Sequence, residues 1–381
     1  MTRLTGDWFR QDRVLALSNA FAASGYQLHF VGGCVRNALM DEPIADLDLS
    51  TDARPDQVME LAAAAGFKPV PTGIDHGTIT VVVDGEGFEI TTYRKDVETD
   101  GRRAVVAFAD TMEEDAHRRD FTMNALYADV EGHVIDPLGG LPDLYVRRVR
   151  FIDDATARIR EDYLRTLRFF RFYAWYGDEQ QGPDPDALAA ISANLDGLET
   201  LSKERVGSEL LKLLAAPDPA PAVATMEQCG VLARFLPGAD PTAMPVLVHL
   251  EAELSPDPIR RLAALGGEGV AEALRMSRKD AKRLAEMRNG MGSMTPSAEL
   301  AYRHGADMAR DIVLLRAAQM GQEVAAGVMD DIAKGARAQF PIVPADLMPE
   351  ISGPALGAKL NELEARWVAS GFTLTREELL S

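Results

Sequence analysis

The hydrophobic period changes once along this chain of 381 residues, near position 150. Apolar residues two apart share one face of a strand, whereas a repeat of about 3.6 marks one face of a helix. Upstream of the change, Gln27–Val31 reads as a strand ending at Gly32-Gly33, followed by a short helix, Cys34–Met40. Ala45–Ser50 alternates polar and apolar residues. Thr78–Val83 and Phe88–Arg94 are β-rich and separated by the turn Asp84-Gly85-Glu86-Gly87. Asn124–Val130 and His133–Asp136 flank Glu131-Gly132, a hairpin turn signal. Downstream, Glu161–Tyr176, Leu201–Leu214, Ser277–Arg288 and Met308–Met320 carry the clearest helical periodicity, and Ser277 with Asp280 has capping-box spacing. Gly182-Pro183-Asp184-Pro185 and Pro217-Asp218-Pro219 break the helices. The expectation is an α+β protein: a small head with a mixed sheet, then an all-helical remainder.

A chain of this length forms two or three domains with a sizeable core. No apolar run approaches the roughly 20 residues needed to span a bilayer, and Met1–Phe9 lacks the layout of a secretory signal. The two cysteines, Cys34 and Cys229, suit a reducing compartment rather than a disulfide framework, so a cytoplasmic protein is expected. The net charge of −19 opposes tight non-specific binding to nucleic acid. The charge is uneven, however: Arg147, Arg148, Arg150, Arg158, Arg160, Arg165, Arg168 and Arg171 crowd one segment, and Arg278, Lys279, Lys282 and Arg283 another. A shaped positive site on an acidic body remains open.

Asp46 and Asp48 alternate with Leu47 and Leu49, so a strand at Ala45–Ser50 directs both carboxylates to one face. Two adjacent anions repel unless a cation sits between them. Mg²⁺ is the expected cation, because it prefers hard carboxylate oxygens together with water and phosphate. An Asp-x-Asp alone equally describes the solvent side of an edge strand. Here it follows Gly32-Gly33, where backbone N–H groups can approach a phosphate, and Arg36, one turn into the next helix. Val31-Gly32-Gly33-Cys34-Val35-Arg36 with Asp46-Leu47-Asp48 resembles the signature of polymerase-β-like nucleotidyltransferases. More narrowly, it resembles the class II group of CCA-adding tRNA nucleotidyltransferases and bacterial poly(A) polymerases. That family usually has Asp where this chain has Asn37, an exchange that keeps the hydrogen-bonding shape beside Arg36 and loses the charge. Glu89, between Phe88 and Ile90, reads equally as a third carboxylate or as a surface residue of a hairpin, and is left unassigned.

Ala116-His117-Arg118-Arg119-Asp120-Phe121-Thr122-Met123-Asn124-Ala125 carries a second resemblance, which implies that Arg118, Arg119 and Asp120 hold the phosphates and ribose of an incoming nucleotide. In Glu161–Arg168, Asp162 and Arg165 are three apart and therefore expected as neighbours on a helix surface, the usual signature of an intrahelical ion pair. The pair also has base-reading chemistry. Cytosine and adenine each place an exocyclic amine beside a ring-nitrogen acceptor, which suits an Asp acceptor and an Arg donor; uracil and guanine present the reverse. The segment resembles the family's amino-acid template, which implies Asp162 and Arg165 as base readers with Arg168 and Arg171 as neighbouring nucleotide contacts. Asp136-Pro137-Leu138-Gly139-Gly140 and Leu201-Ser202-Lys203-Glu204-Arg205-Val206 resemble the family's head-to-neck motif and neck helix.

The resemblance runs from about residue 28 to 215. It implies a head over 1–149, a base-reading neck over 150–215 and a tRNA-binding body and tail over 216–381. It also implies addition of C, C and A to the tRNA 3′ end from CTP and ATP, with Gly33 and Arg36 at the triphosphate and Mg²⁺ on Asp46 and Asp48. Neither a membrane nor an obligate protein partner is inferred. Pro71–Thr78 and the segment from Arg94 to Phe108 resemble the CCA branch and its loop. Poly(A) synthesis, A-only addition and a non-catalytic RNA-binding role stay as alternatives. The six histidines are scattered and none precedes an Asp, so no phosphohydrolase module is expected.

Overall fold

A computed structural model describes residues 2–96, 106–252 and 254–381. It divides into two compact units, 1–209 with 228–234, and 210–227 with 235–381. No helix among the described residues is long and apolar enough to cross a membrane.

The first unit opens with helix α1 (Asp12–Ala23), then β1 (Leu28–Val31), α2 (Gly33–Leu39), β2 (Asp48–Thr51) and α3 (Pro55–Ala64). There follow β3 (Lys68–Gly73), β4 (Thr78–Val83), β5 (Glu86–Thr92), the pair β6 (Arg94–Asp96) and β7 (Val106–Phe108), and α4 (Met112–His117). Strands β8 (Tyr127–Ala128) and β9 (Val134–Ile135) and helix α5 (Leu141–Tyr145) complete the head. Among the described residues the main sheet has seven strands in the order β3-β4-β5-β2-β1-β8-β9. It is mixed, as expected: β2 pairs in parallel with β5, and the other neighbours are antiparallel. β3 carries Pro69 and Pro71, which an edge strand tolerates because its outer N–H side needs no partner. The β4–β5 turn is tighter than the sequence suggests. β5 begins at Glu86, and Asp84 and Gly85 alone turn the chain, both with positive φ (48° and 86°), the pairing that matches strand twist in a two-residue hairpin. The core under the sheet holds Phe9, Leu17, Phe21, Phe30, Leu49, Ile79, Val81 and Ile90, all essentially unexposed.

Helices α6 (Ala155–Glu161), α7 (Leu164–Tyr176), α8 (Pro185–Ser192) and α9 (Lys203–Leu214) follow. The continuous helix expected over Glu161–Tyr176 does not form. Asp162 is extended (φ −150°, ψ 103°) and its Oδ1 accepts the backbone N–H of Leu164 at 3.1 Å, restarting the helix as a cap does. A face of α7 is packed with aromatic rings: Phe169 stacks on Phe151, and Phe121 lies 4.8 Å from Phe172.

The second unit is helical among its described residues. Helix Arg278–Met291 is capped by Ser277, whose side chain accepts from Asp280 N, and Ala306–Met320 contains the expected fourth helix. Its interior holds an ion network. Arg260, Arg261, Glu251 and Asp311 are each 3 % exposed or less, and Arg260 bridges Glu251 and Asp311 at 2.8 Å each. Such a network is tolerable only because every charge is paired.

Candidate active site

The carboxylate pair sits where β2 begins. Asp48 is the first residue of the strand, and Asp46 lies two residues before it, outside the regular strand expected over Ala45–Ser50. Both are exposed, while Leu49 is buried. The parallel register sets Asp48 opposite Glu89 on β5. Residues opposite each other on adjacent strands share a face, so the third carboxylate left unassigned from sequence stands beside the pair. The Asp48 carboxyl is held above its ordinary value. Loss of solvent at the strand start is the main cause; Arg119 opposes it, and the anions of Glu89 and Asp46 add to it. A set of hard oxygen donors that destabilise one another's charge is the chemistry that a divalent cation relieves.

Gly33 opens α2, preceded by Gly32 with φ 71°. A Cβ at Gly32 would meet an Arg119 Nη at 3.4 Å and the Asn124 carbonyl at 3.6 Å, ordinary contact distances, so what a side chain there would cost is backbone strain at the positive φ. Arg119 donates from Nη2 to Asp115 Oδ2 (3.0 Å), and Arg118 donates from Nε to Asp115 Oδ1 (2.7 Å). Asp115 is itself buried and also accepts from the Tyr127 hydroxyl and the Arg94 N–H. Burial alone would raise its carboxyl, but the two arginines and these donors hold it well below the usual range. Asp115 was not singled out from the sequence, because an Asp in an acidic helix start has no local mark of burial.

Arg36 is 5 % exposed, and its guanidinium is turned into the protein. It donates to Asn37 Oδ1 from Nε (3.1 Å) and Nη2 (2.8 Å), to Asn124 Oδ1 (2.9 Å) and to the Tyr176 hydroxyl (2.8 Å). Its carbon Cζ lies 4.0 Å from the Tyr176 ring centroid. Asn37 makes use of its amide: Oδ1 serves Arg36, while Nδ2 donates to the Pro43 carbonyl at 2.7 Å, tying down the segment that leads to Asp46. An aspartate has no donor for that last bond.

Asp120 is buried, with Oδ2 accepting from Arg168 Nε (2.7 Å) and Nη2, and Oδ1 accepting from Phe121 N and Asn124 Nδ2. Asn124 thus links Asp120 to Arg36. The side chains of Asp162 and Arg165 are not paired with each other, contrary to the expected helix-surface ion pair, although the Arg165 N–H donates to the Asp162 carbonyl at 2.9 Å; each side chain is taken by other partners. Asp162 Oδ2 accepts from Arg205 Nη2 of α9 at 2.6 Å. Arg165 pairs with Glu161 and donates to the carbonyls of Arg158 and Arg118 (3.0 Å each). Arg171 donates to Glu209, also on α9, at 2.6 Å. Arg205, Glu209 and Asn124 were not assigned roles from sequence; only their tertiary partners mark them. Much of the basic stretch therefore has partners within the fold, with Arg150 on Asp143 and Arg160 on Asn194 as well; Arg147, Arg148, Arg150 and Arg160 are exposed.

Two other features lie apart from these residues. A cavity of about 760 Å³ is lined by residues including His117, Thr122, Arg150 and Asp153, and by none of the predicted site residues. Asp129, Glu131 and His133 bring three potential metal donors together on the β8–β9 turn; there the His133 N–H and Nδ1 already meet the Asp129 carboxylate at 2.8 and 3.0 Å. The loop expected between Arg94 and Phe108 lies largely outside the described residues.

A mixed-sheet head with a carboxylate cluster at a strand start and arginines converging beside a Gly-Gly turn defines a nucleotidyltransferase. The family described as the Poly A polymerase head domain matches residues 28–150, and the one described as the probable RNA and SrmB-binding site of polymerase A matches 183–242. The chain is 32 % identical to the mitochondrial CCA tRNA nucleotidyltransferase 1 of Danio rerio over 97 % of its own length and 90 % of that protein's. A CCA-adding enzyme of Geobacillus thermodenitrificans is 41 % identical over 56 % of this chain and 52 % of its own. The crystal structure of the Bacillus stearothermophilus CCA-adding enzyme in complex with CTP superposes with a TM-score of 0.71 at 26 % identity, covering 94 % of this chain and 92 % of that one. The chain belongs to the CCA-adding tRNA nucleotidyltransferase family.

Proposed function

We propose that this protein adds C, C and A to the 3′ end of tRNA from CTP and ATP, releasing pyrophosphate, without a nucleic-acid template. The observation that carries the reading is the meeting of Asp46, Asp48, Glu89 and Arg119 at the start of β2, in a chain related to CCA-adding enzymes over nearly its whole length. Relatives with those names are described in complex with CTP, ATP and tRNA.

The family's divalent metal, proposed here as Mg²⁺, would be held by Asp46 and Asp48, with Glu89 as an adjacent carboxylate. Bound there, it supplies positive charge to the triphosphate and favours ionisation of the attacking hydroxyl. The protein's own groups do the rest. The Gly32-Gly33 turn admits the phosphates close to the backbone, and Arg118 and Arg119, pre-oriented by Asp115, face them. Arg36 acts at the same triphosphate region from a buried position, holding the turn through Asn37 and Asn124. Asp120, whose oxygens already accept from Arg168, Phe121 and Asn124, serves the ribose and phosphate by holding Arg168, with Arg171 beside it. Asp162 retains free lone pairs beyond its bonds to Leu164 and Arg205, and accepts from the exocyclic amine of C or A; Arg165 donates to the ring nitrogen. The RNA 3′-hydroxyl attacks the α-phosphorus in line, its oxygen forms the new P–O bond, and pyrophosphate leaves.

In this scheme residues 1–149 are the catalytic head, 150–215 the base-reading neck and 216–381 the tRNA-binding body and tail. The unpaired thiols, Cys34 and Cys229, support placing the protein in the cytoplasm.

The test supplies tRNA transcripts ending before, within and after CC, with CTP and ATP separately. Termination after one CCA is expected. Unlimited A addition would make the protein a poly(A) polymerase, A addition only after CC an A-adding enzyme, and no incorporation an RNA-binding relative. Asp46→Ala and Asp48→Ala should each abolish incorporation and leave folding intact, since both side chains are exposed.

A further inference from the structure

We infer that the cavity bounded by α6, α8 and residues 150–152 is a binding site for an aliphatic polyamine, a chain of ammonium groups joined by methylenes. Every residue lining it belongs to the first compact unit, and its volume of about 760 Å³ lies in the range of small-molecule sites. The inference is independent of the nucleotide reading, because the residues assigned to the nucleotide and the metal do not line this cavity.

The lining joins two kinds of surface. Its apolar part includes Phe151, Ile152, Ala187 and Ala190, all buried. Its polar part carries four carboxylates in two pairs: Asp153 and Asp154 where α6 begins, and Asp184 and Asp186 where α8 begins. The cations of the lining are already engaged. Arg150 pairs with Asp143 at 2.7 Å, and His117 Nδ1 lies 2.8 Å from Asp153 Oδ2. Asp154 and Asp184 each spend Oδ1 on a helix cap, accepting from Ala157 N at 2.7 Å and from Ala187 N at 3.0 Å. The caps fix the direction of both carboxylates and leave Oδ2 outside the cap bond.

The spread of these charges selects the ligand. Among the described residues only Asp129, Glu131 and His133 bring three donor atoms within 4.8 Å of one another. The cavity's carboxylates are therefore too dispersed to enclose one metal ion, whose oxygen ligands converge on a point. Anions repel a phosphate or carboxylate ligand. A molecule whose positive charges are themselves spaced, with methylenes between them, meets both pairs of carboxylates while its hydrocarbon covers Phe151, Ile152 and the alanines of α8. Each ammonium then makes charge-assisted hydrogen bonds, and the methylenes leave water.

The experiment titrates spermidine into the full-length protein, freed of RNA and held in excess MgCl2, by calorimetry. One saturable equivalent is expected. The Asp154→Asn/Asp184→Asn/Asp186→Asn variant keeps both caps, since asparagine caps a helix as well as aspartate, and should bind about tenfold or more weakly, the range of one or two lost charge-assisted bonds. Ala189→Leu, which narrows the cavity without touching a charge, should weaken binding by a similar factor. The Glu268→Gln/Glu323→Gln/Glu377→Gln variant removes as many exposed charges from the second unit and should bind as the parent does. Melting temperatures confirm that each variant is folded, and the singly substituted Asp186→Asn, altered at an exposed side chain, serves if the triple variant is not. Heat that never saturates, binding abolished by MgCl2, or equal weakening in both triple variants would reduce the effect to a counterion atmosphere around an acidic protein and overturn the inference. Full affinity in Ala189→Leu would remove the cavity from it and overturn it as well. Trilysine displacing spermidine at lower concentration than spermidine itself would replace the polyamine with a basic peptide.

Discussion

Asp120→Asn removes one charge from the junction between the Arg118–Asp120 segment and α7, and its cost follows from the contacts. Asp120 is 6 % exposed and accepts from two Arg168 nitrogens, from Phe121 N at 3.0 Å and from Asn124 Nδ2 at 3.1 Å. An asparagine supplies one accepting oxygen and one amino group. Whichever way it turns, a donor faces donors: the guanidinium on one side, or Phe121 and Asn124 on the other. Breaking a buried ion pair costs about 3–5 kcal/mol. The Arg168 side chain is 30 % exposed and regains some water, so the lower end applies, roughly 3 kcal/mol or on the order of 100-fold in the unfolding constant. Trp8 and Trp175 lie in the same compact unit as Asp120, and Trp367 in the other. Urea unfolding followed by tryptophan fluorescence in a Trp367→Phe background therefore reports the relevant unit. Burial would raise the Asp120 carboxyl, but Arg168 and the other donors hold it below its ordinary value. A group with a depressed folded pKa stabilises above its unfolded value and loses that contribution as pH falls toward the folded one. The gap between parent and variant should thus be level from pH 7 to about 5 and narrow below about pH 4. A gap under about 1 kcal/mol at pH 7, or one that widens on acidification, would refute the reasoning.

Two further outcomes follow from neighbouring residues. Burial, and then the charge of Asp48, push the Cys34 thiol up to about 11, leaving on the order of 0.1 % thiolate at pH 8. A thiol-disulfide reagent should titrate one cysteine, Cys229, in the native protein and two in denaturant; rapid reaction of two thiols in the native state would contradict this. Asn37→Asp keeps both acceptor contacts to Arg36 and gains a counter-charge, but sets an acceptor against the Pro43 carbonyl in place of the 2.7 Å bond. Stability should change by no more than about 1 kcal/mol, while amide exchange in residues 40–47 rises about tenfold; unchanged exchange would show that the Pro43 bond does not hold the segment.

Asn37 stands where the family usually has Asp, an exchange that loses a charge beside Arg36. In the structure its amide performs two tasks, one of which an aspartate cannot. The arginine-rich segment and the acidic net charge are reconciled in the fold, where three of those arginines pair with buried acids: Arg150 with Asp143, Arg168 with Asp120 and Arg171 with Glu209.

The sequence alone determined the mixed-sheet head followed by helices, because period two and period 3.6 are local patterns and each segment carries its own. It also determined the carboxylate pair and the Gly-Gly turn, since the residues involved are close neighbours along the chain. Partnership was decided only by the tertiary structure. Glu89 joins Asp48 through a parallel register, which depends on how two distant strands align. Asp162 turned from a helix-surface neighbour of Arg165 into a residue at a break, held by Arg205 from a helix 43 positions away. Spacing along a chain cannot distinguish a continuous helix from one interrupted where a side chain caps the next turn, because the apolar positions on either side of such a break keep the same period.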